Sequence, residues 1–208
     1  MSKSALIICN GEPPSRALAR KLVSRSDLIV AADGGANAAR RIGIRPDIII
    51  GDLDSITAAT KRFFSSSSII KIKRQDNTDL EKALDYLLSQ NIGDVTIIGA
   101  TGRRVDFTLG NLSVIWNYVP TMRLMFVGDG WRATPVESGK KIEAKLGTTI
   151  SLVPFGTCSG VTLRGLRYTL TNATMNVGEI GVSNVVKRSP FSVTVRKGKM
   201  LLFIMSRS

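Results

Sequence analysis

Strand-like apolar runs alternate with helix-like amphipathic segments from residue 5 to about residue 133. The runs lie at residues 5–9, 28–32, 46–51, 69–73, 95–99 and 124–127. Regular alternation of strand and helix predicts a mostly parallel sheet with helices on both faces, that is, a Rossmann-like α/β fold. Because parallel strands bring their carboxyl ends to one edge of the sheet, the polar turns that follow them are the expected ligand-binding positions.

The pattern changes near Trp131, where the helical periodicity fades and short strand-like runs separated by glycine and proline turns follow. These runs lie at residues 148–153, 160–166, 168–172, 191–196 and 200–205. Short strands at this spacing predict a small all-β sandwich. We therefore expect two domains, an α/β domain over residues 1–133 and a β-sandwich domain over residues 134–208.

The turn after the third strand, Gly51–Ser55, carries two carboxylates two residues apart. Oxygen ligands of this kind suit Mg²⁺, which commonly joins one or two carboxylates to substrate phosphates. A structural explanation is also open, because Asp54 or Ser55 can cap the helix that begins near Thr57.

Two further turns contain the residue types of an anion site. After the second strand, Asp33–Asn37 contains Gly34 and Gly35, which allow backbone N–H groups at a helix N-terminus to approach a phosphate closely. After the fifth strand, Arg103 and Arg104 can bind phosphate oxygens in a forked geometry. Each turn has a plain alternative: a tight strand–helix connection for the glycines and a solvated surface pair for the arginines.

Another polar segment precedes the helix that we predict to run to about Ser89. Thr78 and Glu81 have the spacing of a capping box, and Asp79 falls in the first turn, where a carboxylate stabilises the helix dipole. Local structure alone therefore explains all three residues. A functional role for Asp79 requires independent support.

Composition limits the chemistry that these turns can perform. The chain contains no histidine, which excludes a Ser-His-Asp triad, histidine-ligated zinc and imidazole acid–base catalysis. Its two cysteines, Cys9 and Cys158, are far apart in sequence and form no disulfide framework. Catalysis must rest on carboxylates, basic side chains, hydroxyl groups, a thiol or a metal ion.

The formal net charge of +13 favours anionic ligands, whether nucleotides, phosphates or nucleic acid. Aromatic residues make up only 6% of the chain and do not interleave with basic residues, as a platform for stacking bases requires. We therefore expect phosphate ligands rather than a nucleic acid.

The expected location is the cytoplasm. No apolar stretch approaches the length of a membrane span, so we expect no membrane association. The first residues run directly into a strand, so we expect no cleavable signal.

Taken in order along the chain, these motifs resemble the thiamine pyrophosphokinase family, and the likeness extends over nearly the whole chain. The matching segments are residues 33–37, 46–47, 51–55, 75–82, 99–106, 111–112, 165–168, 170–172 and 182–184. The loop after the fifth strand departs from the family pattern. Arg103 stands where a glycine is usual, and Phe107 stands where a histidine is usual.

The resemblance implies a Mg²⁺-dependent homodimer in which ATP donates its β,γ-diphosphate to the hydroxyl of thiamine, giving thiamine diphosphate and AMP. It also implies that each active site is shared between two subunits. Mg²⁺ and catalysis would depend on Asp52, Asp54 and Asp79. The ATP-binding residues would be Asp33, Gly34, Gly35, Asn37, Ser55, Arg103 and Arg104. The thiamine-binding residues would be Gln75, Thr78, Asp79, Asp106, Tyr168, Ser183 and Asn184.

Two other functions remain open on the sequence. One is a related diphosphokinase that acts on another alcohol, such as a pterin; Ser183 and Asn184 favour thiamine by resemblance only. The other is a basic nucleic-acid-binding module. Release of AMP from ATP, measured with and without thiamine, distinguishes these functions.

Overall fold

The computed structural model describes residues 3–73, 76–179 and 181–206. The chain forms two compact units, Met1–Asp129 and Gly130–Ser208. The first is an α/β unit with a parallel sheet, and the second is built from antiparallel strands, so the predicted fold class is confirmed. Among the described residues, no helix has both the length and the apolar composition needed to cross a membrane.

The described part of the first unit contains a six-stranded parallel sheet and its flanking helices. The strands are β1 Ser4–Ile8, β2 Leu28–Ala32, β3 Ile48–Gly51, β4 Ser68–Lys71, β5 Asp94–Ile98 and β6 Arg123–Gly128. The helices are α1 Arg16–Val23, α2 Gly35–Ile42, α3 Ala58–Phe63, α4 Asp79–Ser89 and α5 Val105–Val114. The strand order is β6-β5-β1-β2-β3-β4. From β1, the strands β2, β3 and β4 follow on one side of the sheet, whereas β5 and β6 lie on the other. Open α/β sheets bind ligands where the strand order changes direction in this way, so ligand binding is expected at the carboxyl ends of β1 and β5.

Apolar side chains on both faces of this sheet hold the helices in place. Leu6 and Ile8 of β1 pack with residues of α1 and α2 and with Phe64, which follows α3, whereas Ile7, which points the opposite way, is also fully buried. The isoleucines of β3, Ile48–Ile50, are buried without alternation, as expected for a strand covered on both faces. Burying one such side chain contributes about 1.5–3 kcal/mol, so the strand ends firmly support the turns that follow them.

Helix α4 begins with the capping box predicted from the sequence, which is confirmed. The Thr78 hydroxyl oxygen accepts a hydrogen bond from the Glu81 N–H at 3.3 Å, and the Glu81 carboxylate accepts one from the Thr78 N–H at 2.8 Å. The helix buries Leu80 and Leu84 and packs against β1, β2 and β3. Cap and apolar face together fix the position of Asp79, the first residue of the helix.

The second unit is a sandwich of two antiparallel sheets. Its strands are β7 Trp131–Pro135, β8 Lys141–Ile142, β9 Thr149–Pro154, β10 Cys158–Arg164, β11 Leu170–Met175, β12 Asn184–Val185, β13 Phe191–Thr194 and β14 Met200–Met205. The strand orders are β12-β9-β14-β7 and β11-β10-β13-β8. Side chains from both sheets, among them Leu152, Phe191 and Leu202, form one apolar core.

Candidate active site

A cavity of about 560 Å³ lies at the carboxyl ends of β5, β1, β2 and β3. The turns after these strands and the first residues of α4 and α5 form its walls. This is the edge of the sheet at which strand–helix alternation predicts ligand binding. Its lining includes residues that were assigned no ligand from the sequence, among them Cys9, Asn10 and Asn111.

Three aspartates from neighbouring turns converge on this cavity. One carboxylate oxygen from each of Asp33, Asp52 and Asp54 lies within 4.8 Å of the others. Gly51 allows the turns after β2 and β3 to approach each other, because a Cβ at this position would lie 2.7 Å from the Cβ of Asp33. Leu53 has a φ of 70°, a left-handed conformation that is unfavourable for a bulky residue. The backbone is therefore strained at Leu53, between the two aspartates that follow β3.

Asp33 is a buried carboxylate, and one of its two oxygens lacks a hydrogen-bond partner among the described residues. Its side chain is 1% exposed, and its Oδ1 has no hydrogen-bond partner among the described residues. The Oδ2 accepts one hydrogen bond, from the Ser55 N–H at 3.3 Å. Burial raises the pKa of Asp33, and the negative charge of Asp79 raises it further. A buried carboxylate oxygen without a partner, beside two other carboxylates, fits a hard cation such as Mg²⁺.

Lys82, which was assigned no role from the sequence, forms ion pairs with Asp79 and Asp52. Its side chain is 3% exposed, and its Nζ lies 2.9 Å from Asp79 Oδ1 and 3.7 Å from Asp52 Oδ2. Burial alone would lower the pKa of Lys82, but the hydrogen bond to Asp79 and the charges of Asp79, Asp52 and Asp33 outweigh it and raise that pKa. Asp79, predicted as a metal ligand, therefore binds an ammonium group in this structure.

A second cavity of about 500 Å³ shares several of these acidic residues. Four residues line both cavities: Asp52, Asp54, Asp79 and Phe107. The two cavities differ in charge. The first is lined by two arginines, Arg103 and Arg104, beside four carboxylates, whereas the second is lined by five carboxylates and one basic side chain, that of Lys82. The first cavity is suited to phosphates and the second to a cationic molecule.

The residues predicted to bind ATP divide into cavity-lining and supporting residues. Gly34 lines the first cavity, and a Cβ there would lie 2.2 Å from Asn10 Nδ2, so the turn leaves no room for a side chain. Gly35 and Asn37 are not among the residues that line this cavity. The Asn37 Nδ2 donates a hydrogen bond to the Ser55 carbonyl at 2.8 Å. Asn37 thus supports the acidic turn from outside the cavity.

Ser55 holds two of the aspartates in place. Its hydroxyl donates to Asp54 Oδ1 at 2.9 Å, while its N–H donates to Asp33 Oδ2. The Asp54 N–H in turn donates to Asp52 Oδ1 at 3.3 Å. These bonds link the turns after β2 and β3, so Ser55 orients carboxylates as well as lining the cavity.

The two arginines in the loop after β5 have different surroundings. Arg104 is paired with Asp106 through bonds of 3.1 Å and 2.5 Å, and its guanidinium lies 4.2 Å from the centre of the Phe107 ring. This hydrogen bond holds the pKa of Asp106 below its ordinary value. Arg103 lines the first cavity with a φ of 56° and forms no ion pair in the described part of the chain. Arg103 is therefore the more available of the two arginines for a phosphate.

The residues predicted to bind thiamine lie in both units. Thr78 lines the second cavity, whereas Gln75 lies outside the described residues. In the second unit, Tyr168 is 61% exposed, and Ser183 has a left-handed φ of 61°. Asn184 is buried, and its amide bonds the backbone N–H and carbonyl of Tyr168 at 3.0 and 2.8 Å. Asn184 therefore fixes the loop that carries Tyr168.

Two residues at the cavity wall have structural explanations. Burial raises the pKa of Cys9 to about 12, with a further contribution from the charge of Asp79, so its thiol is a poor nucleophile at neutral pH. Asn111 of α5 donates a hydrogen bond to the Ala100 carbonyl at 2.8 Å and anchors the loop after β5. The chemistry of the two cavities therefore depends on the carboxylates, on Arg103 in the first and on Lys82 in the second.

Two family profiles match the chain. The one described as thiamin pyrophosphokinase, catalytic domain, matches residues 19–126, and the one described as thiamin pyrophosphokinase, vitamin B1 binding domain, matches residues 140–200. Thiamine pyrophosphokinase 1 of Arabidopsis thaliana is 30% identical, over 99% of this chain and 86% of that protein. Thiamine pyrophosphokinase of Bacillus subtilis (strain 168) is 29% identical, over 84% of this chain and 86% of that protein.

Solved structures agree with the sequence comparison. The crystal structure of thiamine pyrophosphokinase from Bacillus subtilis superposes with a TM-score of 0.83 at 25% identity, covering 99% of this chain and all of that one. The family profiles, the sequence relatives and this structure all agree. The chain belongs to the thiamin pyrophosphokinase family.

Proposed function

We propose that the protein is a thiamine diphosphokinase, which transfers the β,γ-diphosphate of ATP to the hydroxyl of thiamine and releases AMP. Family membership supports this activity. The observation that carries it is the position of Asp52, Asp54 and Asp79, which form the common wall of a cavity with two arginines and a cavity rich in carboxylates. A donor nucleotide in one cavity and a cationic acceptor in the other would meet at the aspartates that the two cavities share, where a metal can bind.

The first cavity would hold ATP. The tight turn at Gly34 brings backbone close to the ligand, and the guanidinium of Arg103 would bind phosphate oxygens. Of the expected ligands Asp52, Asp54 and Asp79, the first two would hold Mg²⁺ together with Asp33, since their oxygens suit it and Asp79 binds Lys82. When bound, Mg²⁺ neutralises charge on the phosphates during transfer. Ser55 would keep the carboxylates oriented, as its hydrogen bonds to Asp33 and Asp54 do here.

The second cavity would hold the acceptor. Thiamine carries a positive charge on its thiazolium ring, and five carboxylates line this cavity. Phosphoryl transfer to an alcohol depends mainly on positioning and charge stabilisation, which the aspartates supply without histidine. A neutral pterin alcohol would gain less from this lining. We propose the first unit as the catalytic unit, and the second as a thiamine-binding unit that contributes Tyr168 and Ser183.

The activity is tested by measuring AMP release from ATP and Mg²⁺ with thiamine, with a hydroxymethyl pterin, and with no acceptor. We expect AMP to form in step with thiamine diphosphate, and only with thiamine. Release with the pterin alone would contradict the assignment of the acceptor. Release without any acceptor would indicate hydrolysis of ATP.

A further inference from the structure

Lys82 lies in an unusual environment for a lysine. Among the described residues, no other lysine or arginine is buried. Its ammonium lies between Asp79 and Asp52, at 2.9 and 3.7 Å, and so joins two carboxylates that come from different parts of the chain. Burying a charge is costly unless it is paired. The position of Lys82 therefore depends on the acidic residues around it.

Asp52 belongs to two groups at once. One of its oxygens lies with Asp33 and Asp54 in the three-carboxylate cluster, and its Oδ2 faces the ammonium of Lys82. Two-metal phosphoryl-transfer sites place their ions about 3.5–4 Å apart, with carboxylates between them. Here the positive charge on the Asp79 side of Asp52 belongs to a side chain of the protein.

We propose that Lys82 is a built-in counter-cation that takes the place of a second divalent ion between Asp52 and Asp79, so that each chain binds one metal ion, at Asp33, Asp52 and Asp54. Lys82 is then a positioning residue, which holds Asp79 and Asp52 without itself contacting the reacting atoms. The proposal rests on the metal site of the proposed function. Its test needs neither ATP nor thiamine.

Manganese binding provides the test, because free Mn²⁺ is counted by its paramagnetic resonance signal. Wild type is compared with Lys82→Met and Lys82→Gln, which both remove the charge, and with Lys82→Arg, which keeps it. Lys82→Gln also keeps a hydrogen-bond donor for Asp79. Lys140→Met is the matched control, because Lys140 pairs with Glu137 at the same spacing and the same 2.9 Å distance but on the surface.

We expect one Mn²⁺ per chain at saturation for wild type, Lys82→Arg and Lys140→Met, and two for both neutral variants. In EDTA, Lys82→Met should melt several degrees below wild type, and Mn²⁺ should raise its melting temperature more than that of wild type. One ion per chain in both neutral variants would overturn the proposal, as would two ions in wild type. Absence of any ion in wild type would contradict the metal site itself, and this proposal with it.

Discussion

Arg103 has a left-handed backbone conformation, with a φ of 56°, in the loop between β5 and α5. This conformation costs a residue with a side chain roughly 1–2 kcal/mol. Backbone strain of this kind is concentrated at ligand-binding and active sites, and this side chain lines the first cavity. We infer that this strained conformation places the guanidinium of Arg103 beside the nucleotide.

Arg103→Gly should therefore weaken ATP binding without lowering the stability of the protein. Glycine relieves the strain, so the melting temperature should rise or stay unchanged. The KM for ATP should rise about ten- to a hundredfold with the loss of a charged hydrogen bond worth about 1.5–3 kcal/mol. Thermal melts and steady-state kinetics measure the two effects. Asn91→Gly is the control, since Asn91 has a φ of 57° but is not among the residues lining the first cavity. An unchanged KM for ATP would place Arg103 outside the nucleotide site.

Asp33 should destabilise the metal-free protein at neutral pH. Its pKa is raised in the folded state, chiefly by burial, from an ordinary value of 3.8. As pH rises above 3.8, the unfolded chain loses this proton first, so stability falls until the pH exceeds the folded pKa. Asp33→Asn should then raise the melting temperature in EDTA at pH 7 and should not do so below the ordinary pKa, while abolishing activity. A variant less stable than wild type at pH 7 would refute this account.

Helix α4 combines a structural cap with a functional first turn. Thr78→Ala removes the cap and should lower the free energy of unfolding by about 1 kcal/mol. Asp79→Asn leaves the buried ammonium of Lys82 without its nearer carboxylate, so it should lower the melting temperature as well as kcat. Thr57→Ala is the matched control for capping, because the Thr57 hydroxyl caps α3 at 3.2 Å in the same way. If Asp79→Asn melts early but keeps its turnover, the carboxylate serves the helix rather than the reaction.

Some elements could be predicted from the sequence because their signals are local. The unbroken isoleucine run of β3 and the capping box of α4 depend on neighbouring residues, and both appear as predicted. The strands β7, β8 and β12 were not predicted. Trp131–Pro135 contains Arg132 and ends in proline, and β8 and β12 have two residues each, so pairing with distant strands defines them.

The environment of Lys82 could not be predicted from the sequence either. Its spacing from Asp79 is that of an ordinary i, i+3 surface pair, like the one between Glu137 and Lys140. Only the packing of α4 beside β3 shows that Lys82 is buried and lies next to Asp52. Similarly, the sequence grouped Arg103 with Arg104, and only the contacts of Asp106 and Phe107 separate them.

In the whole molecule, the proposed catalytic residues lie in the first compact unit, whereas three of the proposed thiamine residues, Tyr168, Ser183 and Asn184, lie in the second. We propose a homodimer in which each active site takes its aspartates from one subunit and its thiamine-binding loop from the other. A two-fold dimer would then contain two equivalent composite sites. Asp54→Asn damages the first component, and Asn184→Ala damages the second by releasing the Tyr168 loop.

Refolding these two inactive variants together tests the composite site. Random pairing gives about half heterodimers, and each of these would contain one site free of both substitutions, so about a quarter of wild-type activity should return. Sedimentation confirms that mixed dimers have formed. Activity no higher than the mean of the separate variants would reject the shared arrangement and leave each site within one chain.

The identity of the transferred group tests the central claim most directly. Phosphorus NMR of a reaction with ATP, Mg²⁺ and thiamine should show equal amounts of AMP and thiamine diphosphate, because the β- and γ-phosphoryl groups of ATP are transferred together. Asp54→Asn should remain folded and form neither product. Asp94→Asn, which changes a carboxylate at the opposite end of β5, should behave as wild type. Formation of ADP with thiamine monophosphate, or of AMP with free diphosphate, would contradict the account.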